Sequence, residues 1–125
     1  MKLDWNVGLV AHLGIEFVEV TPERVLARLA VRDELLTTTG TVHGGTLMAF
    51  ADTIGAAGTV ANLSAEQRTA TLESKTNFIA ACRSGTIQAE ARPIHKGKRT
   101  HVWETRITDE NGKLLSITTQ TQMIL

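Results

Sequence analysis

The sequence predicts an α+β fold, an antiparallel sheet wrapped around one buried helix. Three observations predict it. Residues 44–62 form one long apolar run with no proline. Short segments of period-two alternation lie on both sides of that run, two before it and four after. An Asn111-Gly112 pair between the last two segments is a hairpin signal. A lone apolar helix among six strands is buried most simply by a sheet that curls around it.

Taken in order, residues 3–12 read as a short helix and residues 14–20 and 24–31 as two strands. In the second strand Val25, Ala27, Leu29 and Val31 alternate with Leu26, Arg28, Ala30 and Arg32, and Thr21-Pro22 makes the turn before it. Residues 33–42 are a polar connection. The helix over 44–62 carries Leu47, Met48, Phe50, Ile54 and Val60 on all of its faces, the pattern of a helix surrounded by protein, and breaks near Ser64 to Arg68. Four strands follow. They are Thr69 to Phe78, Thr86 to Pro93, Thr100 to Thr108 and, beyond the turn Asp109 to Gly112, Lys113 to Leu125. In the second of these Ile87, Ala89 and Ala91 alternate with Gln88, Glu90 and Arg92.

The 125 residues suffice for one core, so the whole chain, 1–125, is expected to be a single domain. A 42% hydrophobic and 21% charged composition is that of a soluble globular protein. Thirteen basic side chains balance thirteen acidic ones, which argues against a nucleic-acid partner. The single cysteine, Cys82, excludes an intrachain disulfide and points to a reducing, cytoplasmic setting; it reads as a core residue. Asp4 and Asn6 interrupt any apolar export signal. The run over 44–63 is long enough to raise a membrane span, but it holds Asp52, four glycines and three threonines, so no membrane association is expected.

The chemistry concentrates at Thr41-Val42-His43-Gly44-Gly45 and Asp52. Asp52 is the only ionisable residue of the long helix, and its neighbours three and four positions away are Met48, Ala49, Gly55 and Ala56. A carboxylate there costs several kcal/mol to desolvate unless it is paired or reaches water. It is either a structural carboxylate paired from elsewhere or a general base or nucleophile made reactive by partial burial. Gly44 and Gly45 stand where the first helix amides are open to close approach and the helix dipole is positive, so they form a candidate oxyanion site. The competing reading is a tight loop that merely needs glycine. His43 is a positioning residue for substrate or for that loop, or a structural histidine.

From position 44 to position 52 a helix rises about 12 Å. A base and an oxyanion donor must each lie about 3 Å from one reacting carbonyl. One chain cannot supply both to a single site. If both are catalytic, Gly44 of one subunit faces Asp52 of another across a twofold interface.

His43-Gly44-Gly45 followed by Asp52, in GTVHGGTLMAFADTIGAAG (40–58), resembles the hotdog-fold acyl-CoA thioesterases, most closely the phenylacetate-degradation and 4-hydroxybenzoyl-CoA type. TLESKTNFIAAC (71–82), HKGKRTHVWE (95–104) and DENGKLLSITTQTQMIL (109–125) extend the resemblance over nearly the whole chain. It implies a sheet curled around the helix, a homodimer that often pairs into a tetramer, and an acyl-CoA substrate with no cofactor. Carried over by position, the Gly44 amide polarises the thioester carbonyl and His43 helps place the loop or the water. Asp52 acts as base or nucleophile. Thr71 falls where relatives place a hydroxyl that holds the water. Relatives often carry Asn or Gln six residues before the histidine; here Thr37 stands there, with a shorter reach.

Lys96, Gly97, Lys98 and Arg99 form a basic turn, either a contact for the CoA phosphates, as the resemblance implies, or a solvated hairpin tip. The histidines at 12, 43, 95 and 101 are too scattered for a metal site, and no G-x-S-x-G elbow is present. Ala56, Ala57 and Gly58 suggest room for a bulky or aromatic acyl chain along one side of the helix. The functional expectation is thioester hydrolysis. A non-catalytic acyl-CoA-binding module is the alternative, with a dehydratase ranked after it, and Asp52 discriminates between the first two.

Overall fold

A computed structural model describes residues 3–125. The helix α1 covers Gly8–Leu13, and β1 (Glu16–Thr21) and β2 (Arg24–Ala30) form the first hairpin. The long helix α2 covers Gly44–Val60, followed by β3 (Thr69–Phe78), β4 (Thr86–Lys96), β5 (Thr100–Thr108) and β6 (Leu114–Ile124). All six strands join one antiparallel sheet in the order β1-β2-β4-β5-β6-β3. α2 carries the chain from β2 to the far edge of that sheet, where β3 pairs with β6 alone. The helix packs along the inner face against β2, β4, β5, β6 and β3, as the sequence predicts.

Phe50, Ile54 and Ala57 of α2 are buried against Val25, Ala27, Leu29, Ile87, Ala89, Ala91 and Trp103. Alanines on β2 and β4 let the helix sit close. Two helix glycines allow closer approach still. A Cβ at Gly58 would lie 2.5 Å from the Trp103 ring, and one at Gly55 would lie 2.0 Å from Gln120 Oε1. The space expected beside Ala57 and Gly58 for an acyl chain is therefore filled by the chain's own core. None of the described helices is long and apolar enough to cross a membrane.

Four local departures have physical causes. The first helix starts at Gly8 rather than at residue 3, because Asn6 N–H donates to Asp4 Oδ1 at 2.9 Å and turns the chain there. A single 3-10 turn, Asp33–Leu35, sits in the polar connection. β4 runs past Pro93 to Lys96 because the register shifts between Pro93 and His95, a bulge that absorbs the missing proline N–H. The last hairpin keeps Gly112 alone at positive φ, 82°, with Asp109 Oδ1 accepting from Asn111 and Lys113 N–H groups at 2.9 Å. It is a longer bulged turn, not the two-residue turn that needs both central residues at positive φ.

A fifth departure concerns α2. The helix is not surrounded within this chain: Gly45 and Met48 are exposed and Ala49, Asp52, Thr53 and Ala56 are only half-buried. They form one open stripe at helical spacing. Beside it the edge strand β3 leaves Leu72 and Phe78 more than half exposed, at 57% and 55%.

Candidate active site

The N-terminus of α2 treats its two glycines differently. His43 is the N-cap, with extended φ and ψ of −64° and 137°, and its Nδ1 accepts from Gly45 N–H at 2.7 Å. That bond requires Nδ1 to be unprotonated. Thr46 and Leu47 N–H groups both donate to His43 O. Gly44 N–H alone among these amides has no acceptor among the described residues. The helix thus offers one bare donor, at Gly44, where its dipole is positive. Gly45, expected to contact substrate, has its amide committed to the His43 ring, and a Cβ there would lie 3.0 Å from Nδ1.

Gly44 lines an open cleft of about 360 Å³ with Thr37, Thr41, Leu47, Phe78 and Ala80. A Cβ at Gly44 would lie 3.1 Å from the Phe78 ring, so glycine lets the amide and the aromatic ring approach closely without the ring having to shift. Thr37 does reach this cleft. Its hydroxyl lies 3.0 Å from that of Thr39 and 3.1 Å from that of Thr41, so it is spent largely within its own loop.

Asp52 is not in that cleft. Its carboxyl sits on the open stripe two turns along α2, where burial pushes its pKa above the ordinary carboxylate value and the Thr71 hydroxyl pulls it partly back. Thr71 Oγ1 accepts from Gln122 Nε2 at 2.6 Å, which leaves its own proton for the carboxylate. Gln122 Oε1 in turn accepts from Thr69 Oγ1 at 2.9 Å. Gln120 Nε2 lies 3.2 Å from Asp52 O and 3.5 Å from Oδ1. Thr71 thus stands beside Asp52, across from it on β3. Gln120 and Gln122 were not picked out from the sequence. The signal available was the period-two run Ser116, Thr118, Gln120, Gln122 on β6.

The basic turn lies by the C-terminal end of α2, the end opposite Gly44. Gly97 and Lys98 share a cavity of about 260 Å³ with Asn62, Leu63, Gln67 and His101. Lys96 is not free: its ammonium pairs with Glu23 and donates to Asn62 Oδ1 at 3.2 Å. Lys98 and Arg99 make no ion pair among the described residues. His101 is buried with Nδ1 3.2 Å from Thr59 Oγ1, and burial lowers its pKa.

An antiparallel sheet curled around one long helix is the hotdog class of fold. Comparison with known proteins gives the family. The family model described as "Thioesterase superfamily" matches residues 39–116. The 1,4-dihydroxy-2-naphthoyl-CoA hydrolase of Listeria monocytogenes is 34% identical over 111 residues, covering 89% of this chain and 90% of its own. Its namesake in Escherichia coli is 29% identical, covering 94% and 87%. The crystal structure of a Haemophilus influenzae thioesterase superposes with a TM-score of 0.88 at 30% identity, covering 93% of this chain and 81% of that one. The AziG structure of S. sahachiroi superposes at 0.92 with 27% identity, covering 95% and 97%. The chain belongs to the thioesterase superfamily and is a hotdog-fold thioesterase.

Proposed function

We propose that the protein hydrolyses an acyl-CoA-type thioester at sites shared between two copies of the chain. The observation that carries this reading is the distance between the two reactive groups. The bare Gly44 amide and the half-buried Asp52 carboxyl stand roughly 12 Å apart on one rigid helix. The open stripe of α2 and the exposed edge of β3 are a surface that a second copy would cover. Gly44 N–H of one subunit then holds the thioester oxygen while Asp52 of the other either removes a proton from the attacking water or attacks the carbonyl itself. In the first route the C–S bond breaks as the thiol leaves. In the second the thiol leaves as a mixed anhydride forms on Asp52, and water then hydrolyses that anhydride. Both routes consume one water and end in free acid and a thiol.

Phe78 beside Gly44 supports a flat, aromatic acyl group, and the names of the relatives put bicyclic aromatic acyl-CoAs first in any panel. Within the basic turn, Lys98 and Arg99 are the cations left to meet the nucleotide phosphates; Lys96 is already neutralised by Glu23.

The test is a panel of aromatic and aliphatic acyl-CoAs and carrier-protein thioesters assayed by thiol release, with Asp52→Asn beside the wild type. Turnover is expected to fall at least about a hundredfold in the variant, as for loss of a general base. Near-normal turnover in Asp52→Asn would remove Asp52 from the mechanism. A folded wild type inert on every thioester would leave the binding-module alternative.

A further inference from the structure

We propose that Gln120 is a positioning residue for Asp52 and that Gly55 is the helix position opened to admit it. The inference rests on the thioesterase reading and names the group that aims its carboxylate.

The geometry is specific. Gln120 projects from β6 and is 1% exposed. Its Nε2 reaches both the main-chain oxygen of Asp52, at 3.2 Å, and the carboxylate oxygen Oδ1, at 3.5 Å. The shorter bond anchors the amide to the helix; the longer one is weak as it stands and is the contact that would tighten on an ionised, substrate-bound acid. One amide thus ties the carboxylate to its own turn of α2. The other end of the amide explains Gly55. A Cβ at that position would lie 2.0 Å from Gln120 Oε1 and 2.4 Å from Cδ, closer than any side chain tolerates.

Neither residue is there for stability. Gln120 Oε1 is buried with no donor among the described residues. An unmade buried hydrogen bond costs about 1–3 kcal/mol. Glycine inside a helix costs about 0.5–1 kcal/mol relative to alanine. An apolar side chain at 120 would leave no orphaned acceptor there. Local rules broken together around a single carboxylate mark a site held for its geometry. A second glutamine on the same face of β6 does the parallel task indirectly: Gln122 holds Thr71, and Thr71 holds Asp52.

The charged surroundings are simple. α2 has no other ionisable residue. On β3, Glu73 and Lys75 pair with Thr121 and Thr119, on the face opposite to Gln120 and Gln122. On β5, His101 stands opposite Gln122 but is bonded to Thr59, two turns beyond Asp52. The pH response of the acid is therefore expected to report its neutral partners.

The experiment compares wild type, Gln120→Met, Gly55→Ala, Gln120→Ala and the double variant Gly55→Ala/Gln120→Ala as intact oligomers, with Asp52→Asn as reference. Gln120→Met keeps length and burial but removes the donor. We expect kcat about tenfold lower, since a hydrogen bond to a charged group is at stake, with KM little changed. The acid limb of the pH profile should move up, because the ionised carboxylate loses a donor. Gly55→Ala should reproduce both effects by expelling the amide, yet add nothing to Gln120→Ala. An unshifted profile with wild-type kcat in Gln120→Met, while Asp52→Asn is inactive, overturns the inference and leaves the thioesterase reading intact. Should Asp52→Asn itself retain full turnover, the catalytic reading fails. Carbon-13 NMR titration of the Asp52 carboxyl then decides Gln120 alone: an upward shift in Gln120→Met supports the contact, an unchanged titration overturns it.

Discussion

The inner face of the sheet has two halves that share one helix and follow opposite rules. Under β2, β4 and the end of β5 it is built from Val25, Ala27, Leu29, Ile87, Ala89, Ala91 and Ile107, all fully buried and apolar. Under β6 and β3 it is built from Ser116, Thr118, Gln120 and Gln122 with Ser74, Thr76 and Thr71 beside them. The first half supplies the hydrophobic driving force. The second supplies little of it and leaves Ser74 Oγ, Ser116 Oγ and Gln120 Oε1 buried without partners among the described residues. It also flanks Asp52 and ends at the exposed edge. One half of the sheet folds the chain, and the other holds the acid.

The comparison breaks most directly by damage to the apolar half. Phe50 is fully buried on the α2 face that meets it. Phe50→Ala is expected to cost about 3–5 kcal/mol, read from chemical denaturation. At temperatures where the variant is folded, the pH profile of its turnover should keep the wild-type acid limb. A shifted limb would mean that the halves are not separable.

Thr71→Val probes the polar half with nearly unchanged shape. It removes the hydroxyl that links Gln122 to the carboxyl. Turnover is expected to fall about tenfold and the acid limb to move up. The stability cost should be about 1 kcal/mol, the loss of one acceptor for Gln122. A large stability loss with unchanged pH dependence would assign Thr71 to packing and not to the acid.

The two halves also differ in how far they could be read from the sequence. In β2 and β4 the apolar residues alternate with Arg28, Gln88, Glu90 and Arg92. The outer face carries the Arg24–Glu90 and Arg28–Glu16 pairs at 2.7 and 3.0 Å, so pattern and burial agree. In β6 they disagree. Ile117 is only half-buried while Ser116, Thr118, Gln120 and Gln122 are buried. A residue's hydrophobicity indicates its face only where the face is a hydrophobic core, and here the face is a polar lining. The acid and the glycine pair stood out because each is chemically out of place in an apolar helix. Their supporting glutamines look like ordinary residues of an exposed strand. The open stripe on α2 was hidden for a related reason: Met48, Ala49 and Ala56 are as apolar as the residues of the buried faces, so composition does not mark the exposed side. The split between Gly44 and Gly45 depended on where the His43 ring turns, which no spacing encodes.

The smallest expected effect is the sharpest test of the polar half. Asp52 is an acid whose folded-state pKa is raised above its ordinary value of 3.8 by burial. Between those two values the folded chain binds more protons than the unfolded one, so stability falls as pH rises through that window. Above the raised value the full cost of the buried charge is present; below 3.8 both states are protonated and the cost is gone. Asp52→Asn carries no charge at any pH. The variant expected to lose turnover should therefore melt a few degrees above the wild type at neutral pH. Its advantage should shrink as the pH is lowered through the window. Calorimetry from pH 3 to 8 (about one scan per unit) reads both. A variant less stable than the wild type at neutral pH would mean that the carboxylate has a stabilising partner, and the polar half would then be holding a structural ion instead of a strained one.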